Sequence, residues 1–148
     1  EALEADGVWR GRCAGSCQVS FRYLEVGRDR VPDEETTLAP ALAELHQLQR
    51  WLKRADFERR TEDRTMGSDV EASLRRYLEL FSQNPSITDY TSLAYGNVRQ
   101  LAIIAEHHLD KPELALDLTR LGLAVTRVTD RQRTKAEGRL ERLQERTR

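Results

Sequence analysis

Leu101-Ala102-Ile103-Ile104-Ala105-Glu106-His107-His108-Leu109-Asp110-Lys111-Pro112-Glu113-Leu114-Ala115-Leu116-Asp117-Leu118-Thr119-Arg120-Leu121-Gly122 is the stretch whose reading decides the fold. Two apolar stripes meet in it. Upstream, Tyr90, Leu93, Ala94, Val98, Leu101, Ala105 and His108 recur at three- and four-residue spacing, one face of a helix. Downstream, Leu114, Leu118, Leu121, Val125 and Val128 repeat that spacing. Between the stripes, Asp110 suits an N-cap and Pro112 suits the first turn of a new helix. The stretch therefore predicts a helical hairpin.

The same period extends toward the N-terminus. Val70, Leu74, Tyr77, Leu78 and Phe81 form another stripe, and Ser68 has Glu71 three residues on, the spacing of a capping box. Gln83-Asn84-Pro85-Ser86 closes that helix, because Pro85 restricts Asn84. Thr88 or Asp89 is expected to cap the next, in which Gly96 costs ~1 kcal/mol against Ala. Leu38, Ala41, Leu42, Leu45, Leu48, Leu52 and Ala55 predict a first helix over residues 34–60, ending at the Glu62–Gly67 break. Pro40 lies inside its first turns, so the regular helix is expected to begin nearer Ala39. Connections this short make neighbouring helices antiparallel.

The N-terminus reads differently. Four of the 8 valines fall within the first 31 residues. Cys17, Val19, Phe21 and Tyr23 alternate with Gln18, Ser20 and Arg22, the period of a half-buried strand. Residues 7–31 are expected to form a short β-hairpin with Ala14-Gly15-Ser16 at its turn, docked on the helices because two strands alone are marginal. At the other end, residues 127–148 carry Arg127, Arg131, Arg133, Lys135, Arg139, Arg142, Arg146 and Arg148 against Asp130, Glu137, Glu141 and Glu145. Leu140 and Leu143 are the only large apolar residues past Val128, so few contacts are expected to hold this segment. The fold class is mostly α: an antiparallel helical bundle or helical-repeat-like array of about four helices with a short N-terminal β-hairpin. The chain is read as a single domain, with a helical core over 34–130 and a charged helical or frayed tail over 131–148.

The totals limit function. The 148 residues hold 24 basic and 25 acidic side chains, a net charge of −1. That balance argues against a surface devoted wholly to nucleic acid. No apolar run approaches the ~20 residues of a membrane span. Arg outnumbers Lys 21 to 3, which suits carboxylate or phosphate recognition, but interleaved acids favour a compositional bias. The sequence begins at Glu1, consistent with either a processed leader or a boundary inside a longer chain.

Leu101–Ala105, Asp110–Leu116 and Leu121-Gly122 also resemble the small-residue pattern of a tetratricopeptide helix pair, with small residues at Ala102, Ala115 and Gly122. The Ala115–Gly122 spacing suits that family, and the Ala102–Ala115 spacing is one residue too long. No second copy lies about 34 residues to either side. The pattern is read as a helical hairpin rather than as family membership. The resemblance would imply a concave helical surface for a peptide or protein partner.

Few constellations carry chemistry. Cys13 and Cys17 form a CxxxC pair, a disulfide candidate in an oxidising compartment and two unrelated thiols otherwise. A pair would favour an extracytoplasmic location, and free thiols the cytoplasm; a thiol count on denatured, unreduced protein decides it. No metal or cofactor is expected: zinc sites usually use CxxC-type spacings, His46, His107 and His108 all lie on predicted helices, and adjacent His107 and His108 point about 100° apart. Glu106-His107-His108 carries no nucleophile motif and reads as a helix terminus, the centre of an enzymatic alternative only if a pocket surrounds it. Trp51 and Phe57 lie off the first apolar stripe and are candidate partner anchors, with Arg75 and Arg76 as polar neighbours; packing against the hairpin is the preferred explanation of the aromatics. The basic tail lacks interleaved aromatics, so nucleic acid is disfavoured as its partner, and Arg142 and Arg146 are spaced to pair with neighbouring glutamates. The expectation is a non-enzymatic protein-interaction or assembly module using a helical surface. The alternatives are an exported, envelope-associated scaffold with a Cys13–Cys17 disulfide and, behind it, a nucleic-acid binder through the basic tail.

Overall fold

The structure, a computed structural model, describes residues 34–148, with side chains from residue 36. The expected hairpin over residues 7–31 lies outside the described residues. The described chain is helical: α1 (Glu34–Glu62), α2 (Ser68–Gln83), a 3₁₀ turn (Pro85–Asp89), α3 (Tyr95–Ile103) running into a π turn (Ile104–His108), α4 (Pro112–Val125) and α5 (Asp130–Arg146). There are thus five α-helices among the described residues, one more than the apolar stripes suggested, because residues 130–146 fold into a helix. No strand accompanies them there; an isolated parallel bridge joins Ala94 to Arg127.

Several starts and stops differ from the sequence reading. Helix α1 begins at Glu34, with Pro40 inside it. The capping box expected at Ser68 and Glu71 does not form; Gly67 is the N-cap, and Asp69 accepts the Val70 N–H at 2.8 Å. Thr88 and Asp89 lie in the 3₁₀ turn, so α3 starts later, behind Ala94. Asp110 is not the α4 N-cap. It takes the left-handed conformation at φ 55, Lys111 caps α4, and the Lys111 N–H closes back on the Ala105 carbonyl at 2.8 Å. Short polar side chains tolerate that conformation better than most. The capping box that does form is at α5, where Thr129 and Gln132 satisfy each other's backbone N–H groups.

Helices α1 and α2 run antiparallel. Arg76 on α2 reaches Glu44 on α1, while Arg64 at the connection touches both Glu58 and Asp69. Helices α3 and α4 pack tightly at Gly122, where a methyl group would meet Val98 Cγ1 at 3.3 Å and the Tyr95 ring at 3.5 Å. Ala102 and Ala115 are also fully buried here. Leu45, Leu52, Val70, Leu74, Tyr77, Leu80, Ile87, Ile104, Leu114 and Leu118 fill one contiguous core. Helix α5 joins that core through Leu143, with Ala136 also fully buried.

Candidate functional site

A groove of about 710 Å³ opens between α1 and α3. Its floor is Leu52, Tyr77, Leu101 and Ile104, all buried. One α1 stripe supplies His46, Gln49, Arg50, Lys53, Asp56 and Arg60, spaced so that these side chains share one flank. The facing wall is Ser92, Leu93, Gly96, Asn97 and Gln100. Gly96 on α3 leaves the groove open: a methyl group there would meet nothing within 4 Å.

Polar contacts surround the groove. His46 Nε2 lies 3.3 Å from Thr91 Oγ1. Asp56 is buried and accepts from Arg59 at 2.9 Å and from Arg60 at 3.3 Å, so its charge is matched within α1. Burial pushes the Tyr77 hydroxyl above its ordinary pKa, opposed by a hydrogen bond with Gln49. Arg50 and Lys53 are exposed and have no ion pair or hydrogen bond among the described residues. The groove therefore combines an apolar floor, amide donors and acceptors, and two unmatched positive charges on one rim.

A second polar cluster lies at the π turn. Its Leu109 N–H bonds to Ile104 O at 3.0 Å, an i→i+5 closure. The sequence reading put His108 on the apolar face. In the structure His107 and His108 are exposed and Glu106 is buried, because the wider turn slips the helical phase. Glu106 accepts from Arg142 of α5, and Arg146 lies 3.4 Å from the same oxygen while also donating to Asp110 at 3.0 Å. Burial raises the Glu106 carboxyl pKa, but the Arg142 hydrogen bond and charge, helped by His107 and Arg146, hold it below its ordinary value. The His108 pKa is lowered by desolvation first, then by Arg59 and His107, against the pull of Asp56. Neither His107 nor His108 lines the groove.

The residues singled out from sequence are scattered. Trp51 and Phe57 are exposed on α1 but six residues apart, which places them about 120° apart around the helix. Each has its own cation: Arg64 sits 5.4 Å from the Trp51 ring and Arg60 6.0 Å from the Phe57 ring. Arg75 pairs with Glu71 on its own helix, and Arg76 clamps α2 to Glu44 of α1. Of the basic tail, Arg142 and Arg146 turn inward to Glu106 and Asp110 instead of pairing along α5, and Arg148 pairs with Glu145. Arg131, Lys135 and Arg139 follow one another at four-residue spacing on α5. Arg127 and Arg133 are exposed on either side of the α5 start. Cys13 and Cys17 lie outside the described residues. Among the described residues no group of three or more His, Cys, Asp or Glu could hold a metal ion, and no helix is long and apolar enough to cross a membrane.

Sequence reasoning missed the groove and the buried acid. The groove's α1 flank was visible as a polar stripe beside the leucines, yet its far wall lies about one helix pair downstream. No protein-family model matches the chain, and no curated protein or solved structure matches it either.

Proposed function

We propose that this chain is a non-enzymatic module for protein–protein interaction or assembly, and that its binding surface is the groove between α1 and α3. The composition of that groove carries the reading: an apolar floor beneath amides and cations, in a volume of about 710 Å³. Ligand sites commonly span ~300–1,000 Å³ and pair apolar walls with a few placed polar groups. Leu52, Leu101 and Ile104 supply apolar surface for burial. Asn97 and Gln100 each offer a donor and an acceptor, as a peptide backbone requires.

The test is a photo-crosslinking residue placed at Asn97 in the full chain, with a control at exposed Arg120 on α4. A partner, including a second copy, should be trapped from position 97 and not from position 120. The adduct should vanish in a Gly96→Phe background, where the ring fills the groove. Absence of any adduct, or one indifferent to filling, would sink the reading.

A further inference from the structure

We propose that the groove takes a short acidic peptide segment, one in which Asp or Glu side chains flank an apolar residue. The inference rests on the groove being the binding surface and adds the chemistry of its occupant. Three cations line it, Arg50, Lys53 and Arg60, against one carboxylate, Asp56. Arg60 already bonds to Asp56 at 3.3 Å. Arg50 and Lys53 are left, three residues apart on one flank of α1, exposed and without a partner among the described residues. Two fixed positive charges beside an apolar floor favour a ligand with carboxylates next to an aliphatic or aromatic side chain. Asn97 and Gln100 line the same groove and can meet the backbone between them.

Nucleic acid fits the same chemistry less well. Tyr77, the ring in the floor, is 1% exposed and offers no stacking face. Two free cations are few beside the ~6–10 phosphate contacts of a strongly salt-dependent binder.

The experiment pans a random seven-residue peptide display library on the full chain at low salt. Enriched peptides are then titrated by fluorescence anisotropy onto the wild type, an R50E/K53E double variant and R120E. The substituted side chains are exposed, and circular dichroism checks that each variant keeps its helices. Enrichment of acidic-apolar sequences is expected, with binding weakened roughly tenfold or more by R50E/K53E and unchanged by R120E. Enrichment of neutral or basic peptides, no enrichment, or equal weakening by R120E would overturn the proposal. So would binding of a single-stranded oligonucleotide that depends on Arg50 and Lys53 while acidic peptides fail. If charge reversal is silent but the groove-dependent crosslink from position 97 persists, the interaction module stands and only its acidic ligand falls.

Discussion

Replacing both arginines that face Glu106, as Arg142→Met with Arg146→Met, asks what holds α5 against the bundle. The Glu106 side chain is 1% exposed, whereas those of Arg142 and Arg146 are 49% and 40% exposed. The pair is therefore asymmetric. Arginines deprived of Glu106 turn to water, but a carboxylate deprived of its arginines stays buried. Breaking a fully buried pair by removing one partner costs ~3–5 kcal/mol; with both cations partly solvated, the double variant should lose roughly 2–4 kcal/mol. Glu106→Gln, which leaves the cations free to hydrate, should lose only about 1–2 kcal/mol. Urea denaturation followed by circular dichroism measures both. The pH dependence supplies the sharper check. In the wild type the Glu106 carboxyl lies below its ordinary value of 4.5, so its contribution is complete above that pH and is lost as pH falls through the folded value. In the double variant desolvation is opposed only by the His107 charge, so the folded carboxyl titrates higher than in the wild type, and acid relieves more of the burial penalty. The stability gap between the two should narrow from neutral pH to about pH 4. A gap constant across that range, or a larger loss for Glu106→Gln than for the arginine pair, would refute the reasoning.

Other perturbations have defined outcomes. Leu143→Ala should cost ~2–5 kcal/mol in the same urea assay, since this side chain is fully buried; a loss near zero would mean α5 is not docked. Gly138→Ala, mid-helix with open space at its Cβ, should stabilise by ~0.5–1 kcal/mol, while Gly122→Leu should destabilise by ~1–3 kcal/mol or more as it drives into Val98 and Tyr95. Thr129→Ala removes the acceptor of the α5 capping box and should lower stability by ~1 kcal/mol. In an NMR titration, the Glu44 carboxyl should titrate below its ordinary value because of the Arg76 hydrogen bond, and move upward in Arg76→Gln.

The helical stripes were legible because each needs only local spacing. Leu45, Leu52, Leu74, Tyr77, Leu114 and Leu118 all face the core that their period implied. The hairpin of α3 and α4 was legible for the same reason, with Ala102, Ala115 and Gly122 as its small contact residues. Local signals misled where two caps compete. Ser68 has the right spacing, yet Gly67 takes the extended N-cap position one residue earlier. They misled again at α5, where two fully buried residues, a capping box and two inward arginines replace a broad apolar face. Glu106 could not be read as buried, because its counter-charges lie 36 and 40 residues downstream. The groove was hidden likewise: α1 shows half of its lining, and Gly96 read as a propensity cost rather than as open space in the groove wall.

The reach from Glu106 to α5 also orders the chain in time. Synthesis runs from the N-terminus, so α1 through α4 emerge with an acid destined for the interior and without the two arginines that meet it. Until Arg142 and Arg146 are made, that carboxylate must stay hydrated or take up a proton, and the π turn that carries it has reason to remain open. Closure of the bundle is thereby tied to completion of α5, and a polypeptide interrupted before that helix would carry its own mark of incompleteness.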